Sequence, residues 1–131
     1  MQLRELLKAH ISLAAPEELH EDHRGRNRRI RITGGRFSGE RLSGEVLPGG
    51  ADWQLVRTDG VLELDARYML KTADGALIYV HNRGFRRDTF MRTTPRFETH
   101  DARYDWLNRT VCVASGVRHP DSVEIDVYEV L

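Results

Sequence analysis

The segment GGRFSGERLSGEVLPGGADWQLVRTDGVLELDARY, residues 34 to 68, decides the fold of this chain. Its first half contains four glycine-containing turn signals within a short distance. Glycine reaches positive φ without a steric penalty, so this density is typical of tight turns and bulges between short strands. Charged residues stand beside large aromatics in the second half, as Asp52-Trp53 and Arg67-Tyr68. Such pairs on short strands predict a pocket that contains polar groups.

Two Asp-Gly turn signals, at residues 59–60 and 74–75, flank the clearest predicted strand, residues 61–72. Apolar and charged residues alternate along it, which is the period of a half-buried strand. The segment 76–83 after the second turn is rich in β-branched and aromatic residues and predicts the next strand. Consecutive strands joined by tight turns favour an all-β sheet or barrel over an α/β arrangement.

The remaining strands are predicted from the same alternation, and no helix is predicted. Residues 17–27 are interpreted as a highly charged loop, and glycines interrupt the segment 36–47. We expect one domain over residues 1–131: an all-β chain forming a single antiparallel β-barrel of about eight strands, with a central cavity and long polar loops. The other predicted strands cover residues 7–13, 28–33, 52–57, 89–94, 96–100, 110–117 and 123–131.

Charge and composition argue against several classes of protein. The 131 residues include 20 basic and 20 acidic side chains, and 31% of residues are charged. Nucleic-acid binding normally requires a basic excess, so we expect no nucleic-acid partner. The arginine-rich segment 24–31 is interpreted as a solvated turn and strand edge.

Localisation is predicted from what the sequence lacks. No apolar run approaches the roughly twenty residues that a membrane-spanning helix needs, and the amino terminus has no secretory pattern. The single cysteine, Cys112, cannot form an internal disulfide, and its apolar surroundings indicate packing rather than reactivity. We expect a cytoplasmic protein without a membrane partner.

Several motifs carry a resemblance to a known family: GGRFSGERLSG, LPGGADW, and LDARY followed by KTADGALIYV. With a weaker continuation through RFETHDARYDWLN to VASGVR, they make the chain resemble, over residues 34–118, the bacterial family catalogued as domain of unknown function 3237. The resemblance implies a closed antiparallel barrel similar in type to the allene oxide cyclase barrel, with a cavity at its centre. It also favours a strand over residues 7–13, where Leu3, Leu6 and His10 fit helical spacing as well. It implies no activity.

The common signatures of nucleophilic and zinc catalysis are absent. The chain has no Gly-x-Ser-x-Gly elbow and no His-Glu-x-x-His helix. His20 and His23 lie on a polar segment and are interpreted as solvated rather than as metal ligands. We therefore expect no metal and no cofactor, and a site whose groups bind, polarise or transfer protons.

The candidate site residues are acids, arginines and aromatic or amide side chains within the motifs. A carboxylate in an apolar cavity has a raised pKa, which suits it to proton transfer. Arginines bind carboxylates or enolates, and tyrosines donate hydrogen bonds to oxyanions. The competing interpretation is that acids and arginines pair to hold strands together. The catalytic candidates are Asp52, Glu98, Arg67 and Tyr104, and the ligand-binding candidates are Trp53, Tyr68, Tyr79, His81, Asn108 and Arg118.

Alternation places Arg67 and Tyr68 on opposite faces of their strand, and the sequence leaves open which of them faces the barrel interior. Three functions fit the pattern. The first is a cofactor-free isomerase, cyclase or lyase that acts on a small apolar or aromatic molecule by acid/base chemistry. The second is a non-catalytic carrier or sensor of a small hydrophobic ligand, and the third is a structural module. An acid with a raised pKa inside the cavity favours the first, and a homo-oligomer is left open.

Overall fold

The computed structural model describes all residues, Met1 to Leu131, and contains ten β-strands and one 3₁₀-helix. All strands belong to one antiparallel sheet, which confirms the predicted all-β class. In chain order the elements are β1 (Leu3–Leu13), β2 (Glu17–Asp22), β3 (Gly25–Ser38), β4 (Ser43–Val46), β5 (Ala51–Arg57), β6 (Leu62–Thr72), β7 (Leu77–Arg87), β8 (Phe90–Glu98), η1 (Ala102–Arg109), β9 (Cys112–Arg118) and β10 (Ser122–Val130).

The sheet closes because β1 pairs with both β10 and β3. The long strand β3 spans two pairs of shorter strands. Its first half pairs with β2 and β5, and its second half pairs with β1 and β4. β1 with β2, and β4 with β5, therefore each fill one strand position. Ten strands thus form a closed barrel of eight positions, as predicted.

Glycine allows β3 to bend where it passes from one pair of partners to the other. Gly34 and Gly35 have φ values of +148° and +143°, and the β1–β3 register shifts beside them, between Ser12 and Leu13. A Cβ on Gly35 would lie 2.1 Å from the backbone oxygen of His10. The bend therefore requires a residue without a side chain, as expected for a barrel corner.

The charged segment predicted as a loop over residues 17–27 instead forms β2 and the start of β3. Its acids and arginines lie across from one another: Arg29 Nη2 is 2.5 Å from Glu17 Oε2, and Arg26 Nη1 is 3.1 Å from Glu18 Oε1. Opposite charges facing across two strands stabilise their pairing. The loop prediction was wrong because it used charge density and ignored cross-strand complementarity.

Two predicted strands, 89–94 and 96–100, form the single strand β8. Pro95 lies inside it, at the position that separated the two predicted strands. β8 pairs with β9 only at Arg92 and Thr93 and with β7 along its whole length. Beyond Thr93 one edge of β8 is thus free of a partner strand, and proline is accommodated at such an edge.

No helix was predicted for this chain, but residues 102–109 form the 3₁₀-helix η1. The Asp101 side chain accepts a hydrogen bond from the backbone N–H of Arg103 and caps the first turn. Tyr104 and Leu107 are buried and join the barrel core, so η1 covers the end of the barrel marked by the β6–β7 turn. No helix of the structure is both long and apolar enough to cross a membrane.

The barrel core is apolar at the η1 end and polar at the opposite end. The inward positions of β7 show the change: Ile78 and Val80 are fully buried, whereas Asn82 and Arg86 follow at the same alternation further along the strand. The buried apolar cluster comprises 23 residues, none of which lies on β2 or β5. The polar end is where a binding site can form without disrupting that core.

Candidate functional site

A cavity of about 50 Å³ lies inside the polar end of the barrel. One water requires roughly 10–15 Å³ of such volume, so the cavity holds a few waters or part of a small ligand. Nine of its 15 lining residues are hydrophobic. The six polar ones are Asp52, Gln54, Asn82, Arg86, Thr93 and Arg118.

Strand alternation places these side chains inside. Successive residues of a strand point to opposite faces, so residues two apart share a face. Asp52 and Gln54 are two apart on β5, and Asn82 and Arg86 are four apart on β7. Gly84 stands between the last two, where a Cβ would lie 2.2 Å from the backbone oxygen of Arg92. The backbones of β7 and β8 therefore approach closely at that level.

Asp52 is the acid of the cavity. Its Oδ2 accepts a hydrogen bond from Gln54 Nε2 at 2.7 Å, and its Oδ1 accepts one from the backbone N–H of Asp65 at 3.0 Å. Burial raises the pKa of Asp52, and these two hydrogen bonds only partly oppose the effect. Because loss of hydration disfavours the charged carboxylate, Asp52 holds its proton to a higher pH than an ordinary aspartate does.

Gln54 connects this acid to Arg28. The Gln54 side chain is 6% exposed, and its Oε1 accepts a hydrogen bond from Arg28 Nε at 2.8 Å. The guanidinium group has donors only, so it fixes the amide with oxygen towards Arg28 and nitrogen towards Asp52. The orientation of the Asp52 carboxylate is therefore set by a short chain of hydrogen bonds.

Tyr68 lines the cavity from β6 and is 8% exposed. Burial raises the pKa of the Tyr68 hydroxyl, and the nearby charge of Asp52 raises it further. A phenol with a raised pKa remains protonated at neutral pH and keeps its hydrogen available for donation. The cavity thus combines a carboxyl group with a phenolic donor.

Arg86 and Arg118 line the same end of the cavity, and Arg28 lies next to it through its hydrogen bond to Gln54. Burial lowers the pKa of Arg86, and the positive charge of Arg118 lowers it further. The pKa of Arg28 is likewise lowered by burial and by the charge of Arg86. Arg118 donates hydrogen bonds from Nη1 to the backbone oxygens of His119 and, at 3.1 Å, Ser122. Mutual lowering of this kind requires like charges that lie close together.

Two buried side-chain atoms in the whole protein have no hydrogen-bond partner, and both line this cavity. They are Oδ1 of Asn82, whose side chain is 4% exposed, and Nε of Arg86. Most buried polar groups in folded proteins are paired, so such exceptions require an explanation. Both atoms belong to residues that border a cavity in which a polar ligand could supply a partner after a small side-chain movement.

The structure brings three of the predicted site residues together at the cavity: Asp52, Tyr68 and Arg118. It also answers the question that the sequence left open on β6. Tyr68 faces the interior, whereas Arg67 faces outward. The Nε atom of Arg67 lies 3.5 Å from Oδ1 of Asp65. The inner face of β6 is the apolar one, although the cavity that it borders is partly polar.

The other predicted residues on strands do not reach the cavity. Trp53 alternates with Asp52, points outward, and is 47% exposed beneath the guanidinium of Arg29. Glu98 is exposed at the end of β8, with Oε1 3.7 Å from Arg96 Nε. Tyr79 lies at an outward position of β7. These placements offer no contact with a ligand in the cavity.

His81, Tyr104 and Asn108 form structural contacts elsewhere. His81 Nε2 lies 2.7 Å from Oδ1 of Asp65 on the outer face of the barrel. The Tyr104 hydroxyl donates to Asp74 at the η1 end, and the Asn108 amide bonds the backbone of Thr99. No group of three or more His, Cys, Asp or Glu side chains in the chain can hold a metal ion.

Sequence reasoning missed Arg28, Gln54, Asn82 and Arg86. Arg28 shares its parity with the buried Ile30 on β3, and that alternation signals an inward side chain. Arg86 continues the inward series of β7, but the predicted strand ended before it. Arg28 lies in the arginine-rich segment 24–31, which was interpreted as solvated.

The whole barrel matches a known family. The family model described as "Protein of unknown function (DUF3237)" matches residues 1–91 and 86–130. A relative in Rhodopseudomonas palustris strain CGA009, the UPF0311 protein RPA1785, is 42% identical over 125 residues, which cover 82% of each chain. Its crystal structure, described as that of a conserved protein of unknown function, superposes with a TM-score of 0.94 over 99% of this chain and 97% of that one, at 36% identity.

Two further solved structures share the fold. A β-barrel-like protein from Acinetobacter baumannii AYE has a TM-score of 0.93 and 38% identity, covering 98% of this chain and 94% of its own. A protein from Penicillium herquei that is described as an enzyme has a TM-score of 0.76 and 22% identity, covering 96% and 93%. At that identity the likeness concerns the fold alone.

Proposed function

This chain belongs to the DUF3237 family, and we propose that it binds a small molecule in its barrel cavity and acts on it as a cofactor-free isomerase, cyclase or lyase. The observation that carries the proposal is Asp52: a carboxyl group with a raised pKa that lines a cavity beside the phenolic donor Tyr68. An acid poised nearer to neutrality transfers protons in both directions more readily than an ordinary aspartate.

The chemistry follows from the groups at the cavity wall. Ionised Asp52 removes a proton from a carbon next to a carbonyl group, and the electron pair moves to the carbonyl oxygen as an enolate forms. Tyr68 donates a hydrogen bond to that oxygen. Asp52 then returns the proton to another position of the molecule in an isomerase, to the closing ring in a cyclase, or to the departing group in a lyase. Positioned acid/base groups typically contribute about 10²–10⁴-fold in rate, and one oxyanion donor about 10²–10³-fold.

A specific observation also favours a second candidate, a carrier or sensor of a small hydrophobic molecule. Most of the cavity wall is aliphatic, with contributions from Ile11, Ile32, Leu64 and Ile125. An apolar wall binds an apolar or aromatic body whether or not chemistry follows. The two candidates differ in whether the bound molecule exchanges a proton with Asp52.

Two measurements separate the candidates. Native mass spectrometry of the freshly purified protein detects any bound molecule, and incubation of the complex in D₂O then shows whether that molecule gains deuterium. We expect a co-purifying small molecule that gains deuterium in the wild type, and retained binding without exchange in Asp52→Asn. Glu98→Gln is the matched control because Glu98 is an exposed acid outside the cavity. Binding without exchange in the wild type would leave only the carrier, and a protein with no bound molecule and no exchange contradicts both.

A further inference from the structure

We infer that the ligand of the cavity carries a carboxylate group, which Arg86 and Arg118 hold at the polar end of the barrel, where Arg28 adds to the positive charge. The inference rests on the proposed function for the existence of a bound ligand and adds its chemical class. It does not depend on whether Asp52 transfers a proton. Its basis is that these three arginines are partly buried and lack a carboxylate partner.

Some arginines of the surrounding strands and turns are paired with carboxylates and others are not. Ion pairs of 2.5 to 3.1 Å join five of them to nearby acids, whereas Arg28, Arg86 and Arg118 form none. The other unpaired arginines nearby, Arg36, Arg83, Arg87 and Arg92, are exposed to solvent. Arg28, Arg86 and Arg118 differ because they are partly buried and still have no carboxylate partner. The paired arginines are Arg24, Arg26, Arg29, Arg31 and Arg57.

The three guanidinium groups create a positive excess that the protein itself does not neutralise. Asp52 is the one carboxyl group lining the cavity, and its charge only partly opposes the lowering of the pKa of each arginine. The arginines instead interact unfavourably with each other. Like charges held together away from bulk water destabilise the free protein, and an anion placed among them relieves that repulsion.

The geometry of the donors favours a carboxylate. A guanidinium group is planar and presents parallel N–H donors that match the two oxygens of a carboxylate. Arg86 has a buried Nε without a partner, so it retains a donor for such an oxygen. Arg118 donates from Nη1 to backbone oxygens, and Arg28 donates from Nε to Gln54. The other N–H groups of both guanidiniums remain available as donors. The aliphatic wall then contacts the carbon skeleton.

Matched acid and amide probes test the charge of the ligand directly. Propionate and benzoate, each compared with its neutral amide at constant ionic strength, are titrated by calorimetry, and thermal unfolding is followed in parallel. We expect the carboxylates to bind at least about tenfold more tightly than the amides and to raise Tm. Arg86→Gln and Arg118→Gln are expected to lose that preference. Arg83→Gln is the matched control, because Arg83 is an exposed arginine on β7 outside this cavity.

Stability without any probe gives a second readout. Removing one of three mutually repelling charges is expected to leave ligand-free Arg86→Gln at least as stable as the wild type, so loss of binding cannot be attributed to misfolding. Amides that bind as well as carboxylates, no binding by any of the four probes, or displacement of benzoate by equimolar inorganic phosphate would each overturn the inference. If carboxylates bind in a way that depends on Arg86 but no deuterium is exchanged, the catalytic proposal is overturned and the carboxylate inference stands.

Discussion

Gln54 donates a hydrogen bond to Asp52 at 2.7 Å from the next inward position of the same strand. The pair joins the acid of the cavity to Arg28, whose Nε donates to Gln54 Oε1 at 2.8 Å. A change in Gln54 is therefore transmitted to a carboxylate and to a guanidinium at once. This coupling makes Gln54 a positioning residue, since it acts on the ligand through Asp52.

Gln54→Leu is expected to raise the pKa of Asp52 further. The Gln54 amide stabilises the charged carboxylate, so its loss leaves burial as the dominant influence. The change also leaves Arg28 without its acceptor, and we expect the free energy of unfolding to fall by roughly 1–3 kcal/mol. Carboxyl ¹³C chemical shifts measured across a pH titration report the pKa of Asp52 directly. Thr93→Val, another buried cavity position, serves as the control, and an equal shift in both variants would contradict the role of Gln54.

Asp52→Asn is expected to change how stability depends on pH. Because the folded pKa of Asp52 is raised, its contribution to stability is fully present below the unfolded value of about 3.9 and is lost as pH rises through the folded pKa. The free energy of unfolding of the wild type should thus fall relative to Asp52→Asn as pH rises through that window. Urea unfolding at a series of pH values measures the difference.

Glu129→Gln provides a comparison of opposite sign. Burial favours a raised pKa for Glu129, but hydrogen bonds from Arg41 and Arg4 outweigh it and lower the pKa. Its contribution to stability is present above the unfolded pKa and is lost as pH falls. If Asp52→Asn and Glu129→Gln showed the same pH trend, the raised pKa of Asp52 would be refuted.

Tyr68→Phe and Tyr104→Phe are expected to separate ligand binding from stability. Tyr68 lines the cavity, so loss of its hydroxyl should weaken ligand binding by about two- to tenfold, the effect of one hydrogen bond. The Tyr104 hydroxyl donates to both oxygens of Asp74, at 2.9 and 2.8 Å, at the η1 end. Tyr104→Phe should therefore lower Tm and leave benzoate affinity unchanged. Calorimetry and thermal unfolding of both variants test this, and an effect of Tyr104→Phe on affinity would place the site elsewhere.

The barrel follows from the sequence because its signals are local. Asp-Gly turns and apolar alternation fix β6 and β7 with their antiparallel connection, and each can be recognised within a dozen residues. The segments that failed are those where a distant partner decides the structure. β2 exists because its acids meet the arginines of β3, and Pro95 is tolerated because one edge of β8 is free there.

The site was harder to predict because alternation identifies two faces without saying which one is inside. From the sequence, either Tyr68 or Arg67 could face the barrel interior, and only the closed barrel shows that Tyr68 does. The same ambiguity concealed Arg28 and Arg86, because inward arginines have the sequence pattern of solvated ones. Asp52 was identified because it lies within a family motif and beside an aromatic residue, although Trp53 itself points outward.

Gly35→Ala is expected to destabilise the barrel more than Gly49→Ala does. Both glycines have positive φ values, +143° and +110°, so both substitutions strain the backbone, at a typical cost of about 1–3 kcal/mol. A Cβ at Gly49 meets nothing within 4 Å, whereas one at Gly35 would lie 2.1 Å from the backbone oxygen of His10. Only the Gly35 variant must therefore separate β1 from β3, the pair that closes the barrel.

Urea unfolding of the two variants isolates this closing contact, since the backbone strain is common to both. We expect Gly35→Ala to lose more than about 3 kcal/mol of unfolding free energy, or to fail to fold, while Gly49→Ala retains a cooperative transition. Amide hydrogen exchange locates the damage: protection should fall first at the β1 positions paired with β3, from Lys8 to Ser12. Equal losses in the two variants would mean that the approach of β1 to Gly35 does not limit barrel closure.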